Sequence, residues 1–223
     1  MRIVAMADTH LFHADLDVPD GDVLVHAGDL LRGGTLKELE RGGAFLASLP
    51  HRHKLFVAGN HEVCFEEHRE AARALLPPSV TYLEDAGVAV DGVRFWGSPW
   101  QPWFHDWAFN LPRGAPLAEK WAQIPEGTHV LVTHGPPRGF GDRSSTASRE
   151  GCEDLLARVR AVRPLLHVFG HIHEDGGVWH DGGVCFANVT TWECEQSPRV
   201  FDLDVAARAV REVPTPPRRP MRL

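Results

Sequence analysis

An α/β architecture, with mixed sheets inside and helices outside, follows from three features of the sequence. Short apolar runs of four or five residues recur and break off at polar or glycine-rich stretches, which is the texture of buried strands. In the first half these runs alternate with helix-like segments, and in the second half they come as hairpin pairs. Five of the runs end at Asp, Asn or His, and strand ends along one edge of an α/β sheet are where sites form.

Taken in order, Ile3–Ala7 and Val23–Ala27 read as buried strands ending at Asp8 and at Gly28-Asp29. Thr35–Leu49 has helical spacing through Leu36, Leu39, Phe45, Leu46 and Leu49, although Gly42-Gly43 weakens it. Leu55–Ala58 is a strand running into Gly59-Asn60-His61-Glu62, and Glu66–Leu76 suits a helix stopped by Pro77-Pro78. Val80–Leu83, Val88–Val90 and Val93–Trp96 are short strands, the last two joined by the hairpin turn Asp91-Gly92. Val130–Thr133 leads to His134-Gly135, Glu153–Val162 is a helix, and Leu166–Phe169 leads to Gly170-His171-Ile172-His173. Gly176–Trp179 and Val184–Ala187 form a hairpin around Asp181-Gly182-Gly183, followed by strands Val200–Leu203 and Ala209–Val213. Residues 1–213 are expected as one domain, and the Pro/Arg-rich tail over 214–223 as loosely ordered.

Composition narrows the function. With 223 residues, 43% hydrophobic and 24% charged, the chain is an ordinary globular sequence with enough length to bury a core. A net charge of −7 argues against stable nucleic-acid binding and against an anionic membrane surface. The apolar runs are too short to span a bilayer. Four scattered cysteines without a Cys-x-x-Cys pair read as free thiols of a cytoplasmic protein. The outlier is histidine, with 14 residues.

Many of those histidines sit in the five clusters Asp8-Thr9-His10, Gly28-Asp29, Gly59-Asn60-His61-Glu62, Thr133-His134-Gly135 and Gly170-His171-Ile172-His173. All offer imidazole nitrogen or carboxylate and amide oxygen, and none offers thiolate. Such donors suit intermediate divalent ions: manganese, iron, zinc, nickel or cobalt. Asp-x-His and His-x-His place both side chains on one side of an extended chain. The candidate ligands exceed the needs of one tetrahedral ion, and two ions sharing a carboxylate would use them all. Taken singly, Asp8 or Asp29 would read as a cap or turn residue; as a set they read as ligands. His26 reads as a core histidine, and His13, His51, His53, His68 and His129 as surface residues.

At these residues the chain resembles the calcineurin-like metallophosphoesterase superfamily, all five blocks of whose pattern occur between Asp8 and His173. The stretches Leu24–Asp29, Gly97–Phe104 and Val168–Glu174 are similar to its small metallophosphoesterase-domain subfamily, single-domain enzymes that prefer phosphodiesters, cyclic nucleotides included. The resemblance implies a four-layer α/β/β/α sandwich of two mixed β-sheets flanked by helices. It implies that Asp8, His10, Asp29 and His173 hold one divalent ion, with manganese or iron the first expectation. Asp29 as a bridge, Asn60, His134 and His171 would hold a second. His61 would sit beside the scissile phosphate, assisting the leaving group while hydroxide between the ions attacks phosphorus.

Substrate contacts are read from two loops. Trp100 and Trp103 could offer a face on which a nucleobase stacks, and Arg138 and Arg143 could meet phosphate. The expected partner is a small phosphodiester or nucleotide; the sequence does not fix the oligomeric state. A phosphoserine or phosphothreonine phosphatase of the superfamily would carry Asp-Arg-Gly soon after Gly-Asp, whereas Gly28-Asp29-Leu30-Leu31-Arg32-Gly33 lacks that Asp. A nucleotide sensor without turnover would not need the whole ligand set together with His61.

Overall fold

A computed structural model describes residues 1–215. The tail expected over 214–223 therefore lies, from residue 216 on, outside the described residues. The first sheet is built from β1 (Arg2–Met6), β2 (Val23–Ala27), β3 (His53–Val57), β4 (Val80–Tyr82), β13 (Arg199–Asp204) and β14 (Ala209–Val213). The second contains β5 (Ala86–Val90), β6 (Val93–Ser98), β9 (Val130–Thr133), β10 (Leu166–Phe169), β11 (Gly177–Asp181) and β12 (Val184–Asn188). Their orders are β14-β13-β1-β2-β3-β4 and β11-β12-β10-β9-β6-β5. Both are mixed: β1 to β4 run parallel, β13 pairs antiparallel with β1, and β14 pairs antiparallel with β13 at the edge. In the second sheet β12, β10, β9 and β6 are parallel, and antiparallel β11 and β5 close the two edges.

Side-chain alternation sorts these strands into layers. Ile3, Ala5 and Ala7 of the first sheet and its C-terminal edge face Val130, Val132, Leu166 and Val168 of the second in one apolar core between the sheets. Val4, Met6, Leu24 and Phe56 point the other way, against Leu39 and Leu46 of α1 (Leu36–Ser48) and Ala72 of α3 (Arg69–Leu75). Leu131, Phe169 and Phe186 point outward from the second sheet, onto Leu117 and Trp121 of α4 (Ala115–Ala122) and Leu155 and Val159 of α5 (Glu153–Val162). The result is the four-layer α/β/β/α sandwich. Strands buried on both faces explain why the sequence shows continuous apolar runs.

Helix α1 starts at Thr35, whose hydroxyl accepts from the Glu38 N–H while the Glu38 carboxylate accepts from Thr35, a capping box. The helix expected over Glu66–Leu76 is two pieces, α2 (Cys64–Glu67) and α3, broken where His68 leaves helical geometry at φ −134°. The break lets Cys64 and Phe65 enter the core from one piece and Ala72 from the other. Helix α4, not anticipated from the sequence, has eight residues and offers Leu117 and Trp121, one turn apart, to the core. The parallel pair β7 (Gln101–Pro102) and β8 (Asn110–Leu111) closes a loop across residues 103–109, and neither strand is long enough to show a pattern. Among the described residues no helix is long and apolar enough to cross a membrane.

Candidate metal centre

The ligand-bearing loops leave the strands through left-handed backbone. Asp8 has φ 56°, His10 43°, Asp29 55° and His171 71°. Non-glycine residues there cost about 1 kcal/mol or more each, a cost that Asp and His carry better than branched residues. The turns lock to one another: the Asp8 N–H donates to Gly28 O (3.0 Å), and the His10 N–H to Asp29 O (3.1 Å). The His171 N–H donates to both carboxylate oxygens of Asp8 at 3.1 Å. Gly59 has no alternative, since a Cβ there would lie 2.3 Å from Asp29 Oδ1 and 2.7 Å from His134 Cε1.

Glu62 rivets the second and third loops. Its carboxylate is fully buried and accepts the backbone N–H groups of Asp29 (2.9 Å), Leu31 (2.9 Å) and Gly59 (2.5 Å). Burial, reinforced by the Asp29 charge, pushes its pKa up to about 7 against the opposing pull of those N–H donors. Glu62 is visible in the sequence as the last residue of Gly59–Glu62, but nothing in its spacing reveals this positioning role.

The side chains of these loops converge. Asp29 Oδ2 lies 3.4 Å from His134 Nε2 and 3.9 Å from both His10 Nε2 and His61 Nε2. His173 Nε2 is 3.8 Å from Asp8 Oδ1, and His134 Nε2 is 3.0 Å from Asn60 Oδ1. Asp8, His10 and His173 form one group whose donor atoms lie within 4.8 Å of one another, and Asp29, His134 and His171 form another. His10, Asp29 and His61 form a third group between them. Three imidazoles are oriented by carbonyls that can only accept: Nδ1 of His10 faces Leu31 O, of His134 Ala27 O and of His61 Arg32 O. Each Nδ1 therefore donates, and the Nε2 lone pair turns inward.

This arrangement fits a pair of divalent cations. Nε2 of a neutral His134, Oδ1 of Asn60 and Oδ2 of Asp29 are three acceptors that only a proton or a cation among them reconciles. Asp8 and Asp29 are essentially inaccessible, and their ion-pair partners among the described residues are histidines. Without metal, the proton fills the gap. Burial alone would lower the His134 pKa, but the Asp29 carboxylate outweighs it and pushes the value up to about 9. Burial likewise works against Asp29, yet His134 above all holds its carboxyl well below the usual range. Burial brings His171 down to about 3.

These shifts set a pH dependence for the metal-free protein. His26, His167 and His171, depressed to about 3 by burial, make stability rise with pH up to their unfolded value of 6.5. The raised value of Glu62 opposes this rise between about 4.5 and 7, and that of His134 means that stability is lost as pH climbs from 6.5 through about 9. Melting temperature in chelator is expected to peak near pH 6.5 and fall toward pH 9. In excess Mn²⁺ the stabilisation by metal should instead grow with pH, because ligation displaces the His134 proton. A metal-free melting temperature that is flat or rising above pH 7 would contradict this pairing of His134 with Asp29.

A cleft of about 530 Å³ opens over the centre. Its floor includes His10, Asp29, Asn60, His61, His171 and His173. One wall is Phe104, whose ring meets His171 edge-on at 5.0 Å, with Trp107 packed against His61 at 3.7 Å. Another part of the wall is Ser144, Ser145 and Thr146. The substrate residues expected from sequence lie elsewhere. Trp100 packs on the core, donating from Nε1 to Asp85 (2.8 Å) with Lys120 over its ring. Trp103 is exposed but does not line the cleft, Arg138 donates to Arg149 O, and Arg143 is not part of the lining. His26 is a core histidine as expected, 3.0 Å from Thr9 Oγ1, whereas His51, expected at the surface, is buried against Pro19 O.

Comparison with known proteins agrees with the geometry. The family model for calcineurin-like phosphoesterases matches residues 1–175. The chain is 41% identical over 240 residues to the human "Metallophosphoesterase domain-containing protein 1", covering 96% of this chain and 72% of that one. It is 38% identical to the Caenorhabditis elegans "UPF0046 protein K07C11.7", covering 90% and 72%. The crystal structure of TT1561 of Thermus thermophilus shares the fold, with TM-score 0.65 at 14% identity over 95% of this chain and 97% of that one. The chain is thus a member of the calcineurin-like phosphoesterase family, with donor clusters suited to divalent metal.

Proposed function

We propose that this chain is a dinuclear-metal phosphodiesterase acting on cyclic or other nucleotides. The observation that carries the reading is the convergence on Asp29 of Nε2 atoms from His10, His61 and His134, with Asp8 and His173 beside it. Asp8, His10, Asp29 and His173 hold one ion; Asp29, Asn60, His134 and His171 hold the other. Oxygen and imidazole donors without thiolate favour manganese or iron, with zinc, nickel and cobalt as alternatives. Two such ions, when bound, neutralise charge on the phosphate oxygens and bring the pKa of water near neutrality.

The protein supplies the rest. Glu62 and the interlocked loops hold Asp29 in place, so no reorganisation is needed as charge develops. His61, tied through Nδ1 to Arg32 O, would carry a second proton on Nε2 only as the imidazolium, and it is from that form that Nε2 delivers a proton to the departing oxygen. Phe104, which lines the cleft where Trp100 and Trp103 do not, offers aromatic surface to a base, and Trp107 packs against His61. The four cysteines, all free thiols, fit a cytoplasmic setting.

The test is hydrolysis of bis-p-nitrophenyl phosphate against p-nitrophenyl phosphate by Mn²⁺-loaded protein, followed by a panel of cyclic and linear nucleotides. Faster turnover of the diester is expected. A clear preference for the monoester would favour the phosphomonoesterase alternative, and binding without turnover would favour a sensor.

A further inference from the structure

The cleft is chemically lopsided in a way that bears on which diester it takes. Its lining includes Glu150 and Glu174, both exposed, together with Ser144, Ser145 and Thr146. Among the described residues no lysine or arginine lines it. Of the arginines around this wall, Arg143 has an exposed side chain outside the lining, and three others bond the protein. Arg113 donates to Gly151 O and Glu150 O (2.7 Å each), Arg138 to Arg149 O, and Arg149 pairs with the buried Asp142.

This wall is also built to stay where it is. The loop is closed at its base by the Arg138 N–H to Cys152 O and the Cys152 N–H to Pro136 O (3.0 Å each). Within it Asp142 accepts from the Gly139 N–H, and the hydroxyls of Ser144, Thr146 and Ser148 bond one another at 2.8–3.0 Å. The Arg143 N–H donates to Asp175 (2.9 Å), fastening the loop to the turn that carries His173 and Glu174.

We propose that the outer cleft accepts a hydroxyl-bearing ester arm that carries no second phosphate, and that Glu150 and Glu174 determine this specificity by repelling one. The inference rests on the diesterase reading and narrows it. The scissile phosphodiester needs cationic charge only at the ligand set. A second phosphate on the same arm would lie beside carboxylates with no lysine or arginine in the lining to neutralise it, and each such pair is repulsive. Sugar hydroxyls, by contrast, find acceptors in the two carboxylates and partners in the Ser and Thr hydroxyls.

The experiment compares two matched substrates on Mn²⁺-loaded protein at low salt. One is the p-nitrophenyl ester of thymidine 5′-phosphate; the other is the same ester bearing an additional 3′-phosphate. The wild-type kcat/KM should favour the first by about tenfold, and added salt should narrow the gap. The Glu150→Gln/Glu174→Gln variant, altered only at exposed side chains, should bring the ratio toward one at unchanged melting temperature. Calorimetric binding of both esters reads the same ratio without turnover. Absence of turnover would therefore defeat the diesterase reading and leave the binding ratio to decide this inference. It is overturned if the wild-type ratio is near one, if the variant keeps the wild-type ratio, or if neither ester binds.

Discussion

Asp29→Asn is expected to abolish turnover while leaving the protein folded. Asp29 is the one side chain whose oxygen faces ligands of both proposed ions, with His134 Nε2 at 3.4 Å and His10 Nε2 at 3.9 Å. An amide retains one carbonyl oxygen, which can still accept the His61 N–H now bonded to Asp29 Oδ1 at 2.9 Å. Its other end is an NH₂ group, which cannot ligate a cation and instead donates to the imidazole lone pairs. The substitution also removes one of two neighbouring buried carboxylates, so the Glu62 pKa should fall from about 7. Elemental analysis of the variant should find fewer than two ions per chain. A second readout is independent of metal: without the Asp29 charge the His134 pKa should drop from about 9, visible as a moved imidazole titration. Two tightly held ions and normal turnover in Asp29→Asn would remove Asp29 from the bridging position.

The sequence reveals those parts of the molecule that repeat a pattern. Strands buried on both faces appear as apolar runs, and Val23–Ala27, Val130–Thr133 and Leu166–Phe169 lie where the runs place them. The residues proposed as ligands are legible because each follows such a run, and the sheet topology brings four of those strand ends, after β1, β2, β9 and β10, to one edge with the loop after β3. What escapes is whatever depends on where a loop goes after it leaves the sheet. Trp100 and Trp103 lie in the same aromatic stretch as Phe104 and Trp107, and no periodicity tells which indole turns inward. The choice is made by Asn110, whose side chain bonds Phe104, His105 and Trp107 backbone and folds the loop so that Phe104 and Trp107 meet the histidines. For Arg138 and Arg143 charge alone points to phosphate, and neither lines the cleft. The loop instead turns its serines and threonine to the cleft because Asp142 gathers Arg149 and the Gly139 N–H on its other side. Glu62 is the deepest case: a buried acid with three N–H partners on two loops is a three-dimensional fact with no linear signature.

His61→Ala should separate chemistry from metal binding. Both ions are expected to remain, because the ligands proposed for them are untouched and the backbone N–H that holds Asp29 Oδ1 survives the substitution. Turnover should fall by roughly 10²–10⁴, the range for loss of a general acid. The imidazole is held on three sides: Nδ1 by Arg32 O, one edge by Trp107, and its face by His10 at 4.4 Å. Such fixation points to a task at Nε2, the nitrogen left free. If that task is protonating the leaving oxygen, the loss must depend on how much help the oxygen needs. It should be smallest for p-nitrophenyl diesters, whose phenolate departs readily, and largest for alkyl or cyclic esters, whose alkoxide does not. Added imidazole should restore part of the rate for the poor leaving groups alone, entering the space that the side chain vacates. Equal losses on both substrate types, with no rescue, would assign His61 to holding the phosphate. Loss of an ion from His61→Ala would instead make it a ligand, as its position among His10 and Asp29 would also permit.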